Sequence, residues 1–98
     1  MERIAIFPGS FDPFTVGHDN IVRRGLNLFD TIIIAVGHNS TKHYLFPVAK
    51  RVEFIRELFA DEPRVVVEAY SDLTVDFAKR MNASNILRGL RTAADFEY

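Results

Sequence analysis

The 98-residue chain contains no cysteine. That rules out a disulfide framework, a thiolate metal site and a thiol nucleophile, and it makes a reducing cytoplasm the expected compartment. It also lacks a basic excess: 12 Lys and Arg stand against 13 Asp and Glu, for a formal charge of -1. A protein that coats nucleic acid needs the opposite balance, so any cationic site must be local and no nucleic-acid partner is expected. Long apolar runs are missing as well. The N-terminal one covers residues 4–7, far too short for a signal peptide or a membrane span, so no membrane partner is expected either. With 48% hydrophobic and 26% charged residues, the composition is that of an ordinary folded domain. The length suits a single domain with a small core and leaves no room for a second.

Two phosphate-loop signatures are absent too. Neither G-x-G-x-x-G nor G-x-x-x-x-G-K-[ST] occurs. What the chain does have is the stretch IAIFPGSFDPFTVGH, residues 4–18. Its first four residues form a continuous apolar run, the pattern of a strand covered on both faces. Pro8 and Gly9 end that run, with Gly9 leaving room for a ligand, and Asp12-Pro13 keeps the chain extended. Thr15 is placed to cap a helix whose first turn holds Gly17 and His18. A helix start directly off a strand end presents free N–H groups and the positive end of a dipole, which makes phosphate the expected ligand.

Further along, the apolar spacing of Ile21, Val22, Gly25, Leu26 and Phe29 predicts that this helix reaches about residue 29. A β-branched strand follows over 31–37, then a polar loop over 38–43. Pro47 fits the first position of a second helix. Val48, Val52, Ile55 and Phe59 form its inward stripe, and Lys50, Arg51, Glu53, Arg56 and Glu57 are expected outside. A third strand is predicted over 64–70. Ser71 and Asp72 are placed to cap a third helix that turns Leu73, Phe77, Ala78 and Met81 inward, and a short fourth strand covers 86–88. Residues 92–98 read as a helix just beginning, with Thr92 and Asp95 in capping-box positions, so the chain is expected to be the N-terminal part of a longer parent domain.

Alternating strands and helices predict an α/β fold: a Rossmann-like, doubly wound parallel sheet in three layers, with its C-terminal part absent. In such sheets ligands bind at the carboxyl ends of the strands. Ser10, Lys42, residues 71–74, Arg88 and Arg91 then share one rim. His38 and His43 flank Lys42, but no third ligand accompanies them, so they are read as surface residues and no metal site is expected. The Phe11 and Phe14 pair reads as core packing.

Three motifs, GSFDPFTVGH, the S-T-K loop and RGLR-x-x-x-DFEY, together resemble the bacterial phosphopantetheine adenylyltransferases of the nucleotidyltransferase superfamily, which carries a T/H-x-G-H signature. The resemblance spans essentially the whole chain. It implies transfer of the adenylyl group of ATP to 4'-phosphopantetheine, giving dephospho-coenzyme A and pyrophosphate without a covalent intermediate. By the same resemblance Ser10, Lys42, Thr74 and Arg88 would bind the phosphopantetheine. Ser10, Phe11, His18, Gly89, Leu90 and Arg91 would line ATP, and His18, Lys42 and Arg91 would serve catalysis. Mg²⁺ would accompany ATP, coenzyme A could bind as a feedback ligand, and the full-length family implies a hexamer. Ser10 stands where many members have threonine, and the hydroxyl is kept. Family members also carry a later Ser/Thr-rich segment that grips the nucleotide phosphates, and these 98 residues do not contain it. The alternatives are another nucleotidyltransferase, such as a cytidylyltransferase or a nicotinamide mononucleotide adenylyltransferase, and a catalytically incompetent nucleotide-binding module. The RGLR-x-x-x-DFEY segment speaks against the first two.

Overall fold

The computed structural model describes residues 2–39 and 41–88. Its elements follow the order β1 (Ile4–Gly9), α1 (Val16–Gly25), β2 (Thr31–Gly37), α2 (Val48–Leu58), β3 (Val65–Tyr70), α3 (Thr74–Arg80) and β4 (Asn85–Ile86). The sheet has the order β3-β2-β1-β4, and every pairing is parallel. Each crossover must therefore carry a helix over a face of the sheet.

Side-chain alternation along the strands builds two cores. On one face Phe7, Ile32, Ile34, Val36 and Val67 pack with Val22 of α1 and with Val52 and Ile55 of α2. On the other, Ile6, Ile33 and Ala35 meet Phe77 and Ala78 of α3. Two helices on one face and one on the other give the expected three-layer, doubly wound arrangement. The order of strands reverses between β1 and β4, so the ends of β1 open at a topological switch point.

Local chemistry explains where several elements stop. Pro8 continues β1 opposite Ala35 of β2, but it has no N–H to offer on the β4 side. The Leu87 N–H donates to the carbonyl of Ile6 at 2.7 Å, and a residue with an N–H at position 8 would supply the next bond of that ladder. Pairing with β4 accordingly ends at Ile86, short of the expected 86–88, and Arg88 lies two residues past the strand. α1 closes at Gly25 rather than near residue 29. A Cβ on Gly25 would lie 2.8 Å from Ile32 Cδ1, so this glycine lets the helix approach the sheet. Leu26 and Phe29 still pack on the same core from the turn beyond.

Three further expectations are corrected. Pro47 is the N-cap of α2 rather than its first residue. The N-cap of α3 is Leu73, not Ser71 or Asp72, and no side chain caps it; Leu73 itself is 70% exposed, not inward. Arg51, expected outside, is buried at 3% exposure. It falls three residues after Val48 and four before Ile55, so helical spacing places it on the buried stripe.

Candidate functional site

The loop leaving β1 folds back on itself. Phe11 has a left-handed backbone, with φ of 49°, yet its side chain is buried and meets Phe7 edge-on at 5.2 Å. For a residue with a Cβ this conformation costs about 1–2 kcal/mol, which the burial of a large ring offsets. Gly9 makes the fold-back possible, because a Cβ there would lie 2.9 Å from Phe11 Cζ. The sequence reading gave Gly9 to ligand approach, whereas here the space is taken by the Phe11 ring. Phe14 packs beside it at 5.3 Å and edge-on to Phe59 at 5.9 Å, as core packing requires.

At the start of α1 the cap forms as the sequence indicates. Thr15 Oγ1 accepts from the His18 N–H, and His18 Nδ1 accepts from the Thr15 N–H at 2.9 Å, a reciprocal capping box with histidine in the place usually held by Glu or Gln. The His18 ring is also held edge-on against Phe11 at 5.0 Å. A ring nitrogen that accepts from an amide cannot carry a proton, so the capping bond assigns the neutral ring's proton to Nε2. His18 is thus held in one orientation at a helix N-terminus. Gly17 beside it is open: a Cβ there would meet only Thr15 Oγ1, at 3.7 Å. Internal packing does not call for a glycine at this position, and its absence of side chain leaves the helix start accessible.

Ser10, Lys42 and Thr74 come together. With Gly9, Gly37, Tyr70 and Ser71 they line a cavity of about 320 Å³ across the ends of β1, β2 and β3. Tyr70 was not anticipated in this role. Its hydroxyl lies 2.9 Å from Thr74 Oγ1 and its ring stacks on Phe77, so the end of β3 and the start of α3 are tied together. The signal for it was slight: an aromatic at a strand end normally reads as packing. Asp72 on the same rim pairs with Arg80 at 3.1 Å. A wider groove of about 570 Å³ runs along α2 between Pro13, Phe46 and Phe54. None of Ser10, His18, Lys42 or Thr74 lines it.

Arg88 is exposed, on the far side of β1 from Lys42, and does not line that cavity. His38 and His43 are exposed, and the His38 ring stacks against Tyr44 at 6.1 Å. Among the described residues, no group of three or more His, Asp or Glu could hold a metal ion, and no helix is long and apolar enough to cross a membrane. Gly89, Leu90 and Arg91, expected at ATP, lie outside the described residues, as does the helix start expected over 92–98.

Two anchors hold the loop that carries Lys42, and sequence reasoning missed both. Asp12 accepts the N–H of Leu45 at 2.6 Å and that of Phe46 at 2.9 Å. Arg51 donates to the carbonyls of Phe46 at 3.0 Å, Ser10 at 2.7 Å and Gly37 at 3.0 Å, and its guanidinium lies 4.1 Å from the Tyr44 ring centroid. The available sign was a charged residue on the inward stripe of α2.

A parallel sheet with a switch point beside β1, a capped helix start and a cation-bearing rim define a Rossmann-like domain suited to a phosphorylated ligand. The chain belongs to the cytidylyltransferase-like family, whose model matches residues 6–98. Within that breadth it is similar to a phosphopantetheine adenylyltransferase of Bacteroides fragilis, 53% identical over 98% of this chain and 64% of the relative. One from Flavobacterium johnsoniae is 56% identical over 98% of this chain and 63% of the relative. The chain thus spans just under two thirds of the length of these relatives. Among solved structures, NadR in complex with NAD and AMP-PNP superposes with a TM-score of 0.69 at 25% identity, over 84% of this chain and 26% of NadR. A bifunctional NMN adenylyltransferase/ADP ribose pyrophosphatase from Francisella tularensis gives 0.64 at 25% identity, with the same coverage.

Proposed function

We propose that this chain supplies the phosphopantetheine-binding part and a share of the nucleotide site of an adenylyltransferase that joins ATP and 4'-phosphopantetheine, giving dephospho-coenzyme A and pyrophosphate. The observation that carries the reading is the rim itself, where Ser10, Lys42 and Thr74 line one cavity beside the capped start of α1. The relatives named for this reaction support it. In the proposed step a phosphate oxygen of phosphopantetheine attacks the α-phosphorus of ATP in line, a new P–O–P bond forms and pyrophosphate leaves. Such a step requires alignment and positive charge where negative charge develops, not a covalent enzyme intermediate. His18 suits the second need, since a neutral Nε2–H donor at a helix N-terminus stabilises a developing oxyanion without first having to be protonated. Lys42 and Arg88 would neutralise the acceptor phosphate, Ser10 would donate to it, and Arg91 with residues 89–90 would face the nucleotide.

Mg²⁺ would arrive on the triphosphate, because the described residues offer no three-ligand group to cage it. When bound it would neutralise phosphate charge; the positioning falls to the protein. A hexamer, feedback binding of coenzyme A and a cytoplasmic location belong to the same proposal and rest on the resemblance and on the lack of cysteine. A pyrophosphate-release assay tests the reading. Phosphopantetheine should be the productive acceptor for the longer parent chain, whereas release with nicotinamide mononucleotide, or from CTP, would identify a different nucleotidyltransferase, and release with none would favour a binding module.

A further inference from the structure

The geometry points to Arg51 as a positioning residue: a buried guanidinium that sets the spacing between Ser10 and the Lys42 loop, and with it the phosphate selectivity of the rim. Its environment is unusual. A buried arginine normally faces a carboxylate, because an uncompensated charge in the interior is costly. Among the described residues Arg51 has no carboxylate partner within ion-pair distance; it is satisfied by three backbone carbonyls and one aromatic face. Nη2, also buried, has no partner there at all. A merely structural role would be met more cheaply by an apolar residue, as Val52 and Ile55 show on the same stripe.

What the three carbonyls have in common is their location. Ser10 is the first residue after β1, Gly37 is the last of β2, and Phe46 closes the loop that leaves β2 and returns to α2. The connection from β2 to α2 is thereby fastened at Gly37 and at Phe46 to the same guanidinium. Between those ends Tyr44 bridges, with its ring over Arg51 and its hydroxyl accepting the Asn39 N–H at 3.0 Å, and Lys42 turns back through its N–H to the Asn39 carbonyl at 3.0 Å. The Asp12 carboxylate secures Leu45 and Phe46 from the β1 side. Lys42 is exposed and long, and a flexible loop would let its ammonium spread over a wide volume. Holding the loop lowers the entropy lost when that ammonium engages an anion. The buried charge adds a positive field 2.7 Å from the Ser10 carbonyl, little screened by water. Lysine cannot replace this device, because one ammonium cannot reach three carbonyls in a plane and stack on a ring as well.

This inference rests on the phosphopantetheine reading, so the experiment separates the two. The longer parent chain is prepared as wild type, Arg51→Lys and Arg51→Met, and each is titrated with phosphopantetheine and with dephosphorylated pantetheine. Amide exchange is followed in parallel at residues 39–46. Positioning predicts that Arg51→Lys, with fold retained by circular dichroism, loses about tenfold or more in phosphopantetheine affinity, keeps its pantetheine affinity, and exchanges faster at residues 39, 45 and 46. Arg51→Met, which also removes the charge, should lose more. Equal losses for both ligands, or unchanged affinity, would overturn the proposal, as would unchanged exchange in the loop. If Arg51→Met does not fold, the lysine variant decides alone. A wild type that binds the two ligands alike would refute the phosphopantetheine reading itself, and faster loop exchange in Arg51→Lys would then still uphold the clamp while unchanged exchange would refute it.

Discussion

A histidine that closes a capping box is held more tightly than most exposed histidines, and that constraint sets what His18 is able to do. Its Nδ1 accepts from the Thr15 amide and its ring rests edge-on against Phe11, so the imidazole is held in one orientation. In the longer parent chain His18→Ala should lower kcat about 100-fold with little change in either KM, because a preorganised donor acts chiefly on charge that develops in the transition state. Steady-state kinetics with pyrophosphate release as readout would show this, and a loss below about fivefold would remove His18 from the chemistry. In the proposed reaction Lys42 and Arg88 would act on the other substrate. Lys42→Ala and Arg88→Ala should each weaken phosphopantetheine by roughly 1.5–3 kcal/mol, the range for hydrogen bonds to charged groups, and leave pantetheine binding unchanged. Calorimetry with the two ligands distinguishes a phosphate-reading cation from a general packing effect. Lys42 lines the cavity and Arg88 does not, so unequal losses would also reveal which of them reads the phosphate in this chain.

At the level of elements, the start of α1 joins a structural cap to the donor proposed for the reaction. Thr15→Ala removes the acceptor for the His18 N–H, which should destabilise the domain by about 1 kcal/mol, seen as a lower urea midpoint at unchanged slope. Val16, Gly17 and His18 form the first turn of this helix, so the same variant should also reduce turnover through the looser His18 ring. A stability loss with full turnover would show that the aromatic contacts alone hold the imidazole. Two element boundaries that differ from the sequence reading sit against other parts of the chain. Gly25, which ends α1, lies close to Ile32 and Leu87, and β4 ends at Ile86 beside Pro8 of β1. Periodicity within a segment carries no information about such neighbours.

For the molecule as a whole, the rim divides into two halves. Ser10, Lys42 and Thr74 of the proposed phosphopantetheine half line one cavity, whereas residues 89–91 and the later Ser/Thr-rich segment of the resembled family would serve the nucleotide. The 98-residue chain should therefore bind phosphopantetheine measurably while catalysing little or no adenylyl transfer. Purified chain of verified mass tests this, and turnover within tenfold of the longer parent would show that residues 1–98 already hold every group the reaction needs. Much of this was legible in the sequence. Continuous apolar runs over 4–7 and 31–37 declared buried parallel strands, helical stripes declared covering helices, and the T-V-G-H turn declared a capped helix start, because each signal depends only on neighbours within a turn or a strand. The clustering of Ser10, Lys42 and Thr74 followed from parallel topology alone. The burial of Arg51, the carboxylate anchor at Asp12, the Tyr70–Thr74 contact and the true reason for Gly9 came only with tertiary structure. For two of these the partner lies far along the chain: Arg51 meets Ser10 41 positions away, and Asp12 meets Leu45 33 away. A buried charge reads as a surface one until the carbonyls that satisfy it are folded around it.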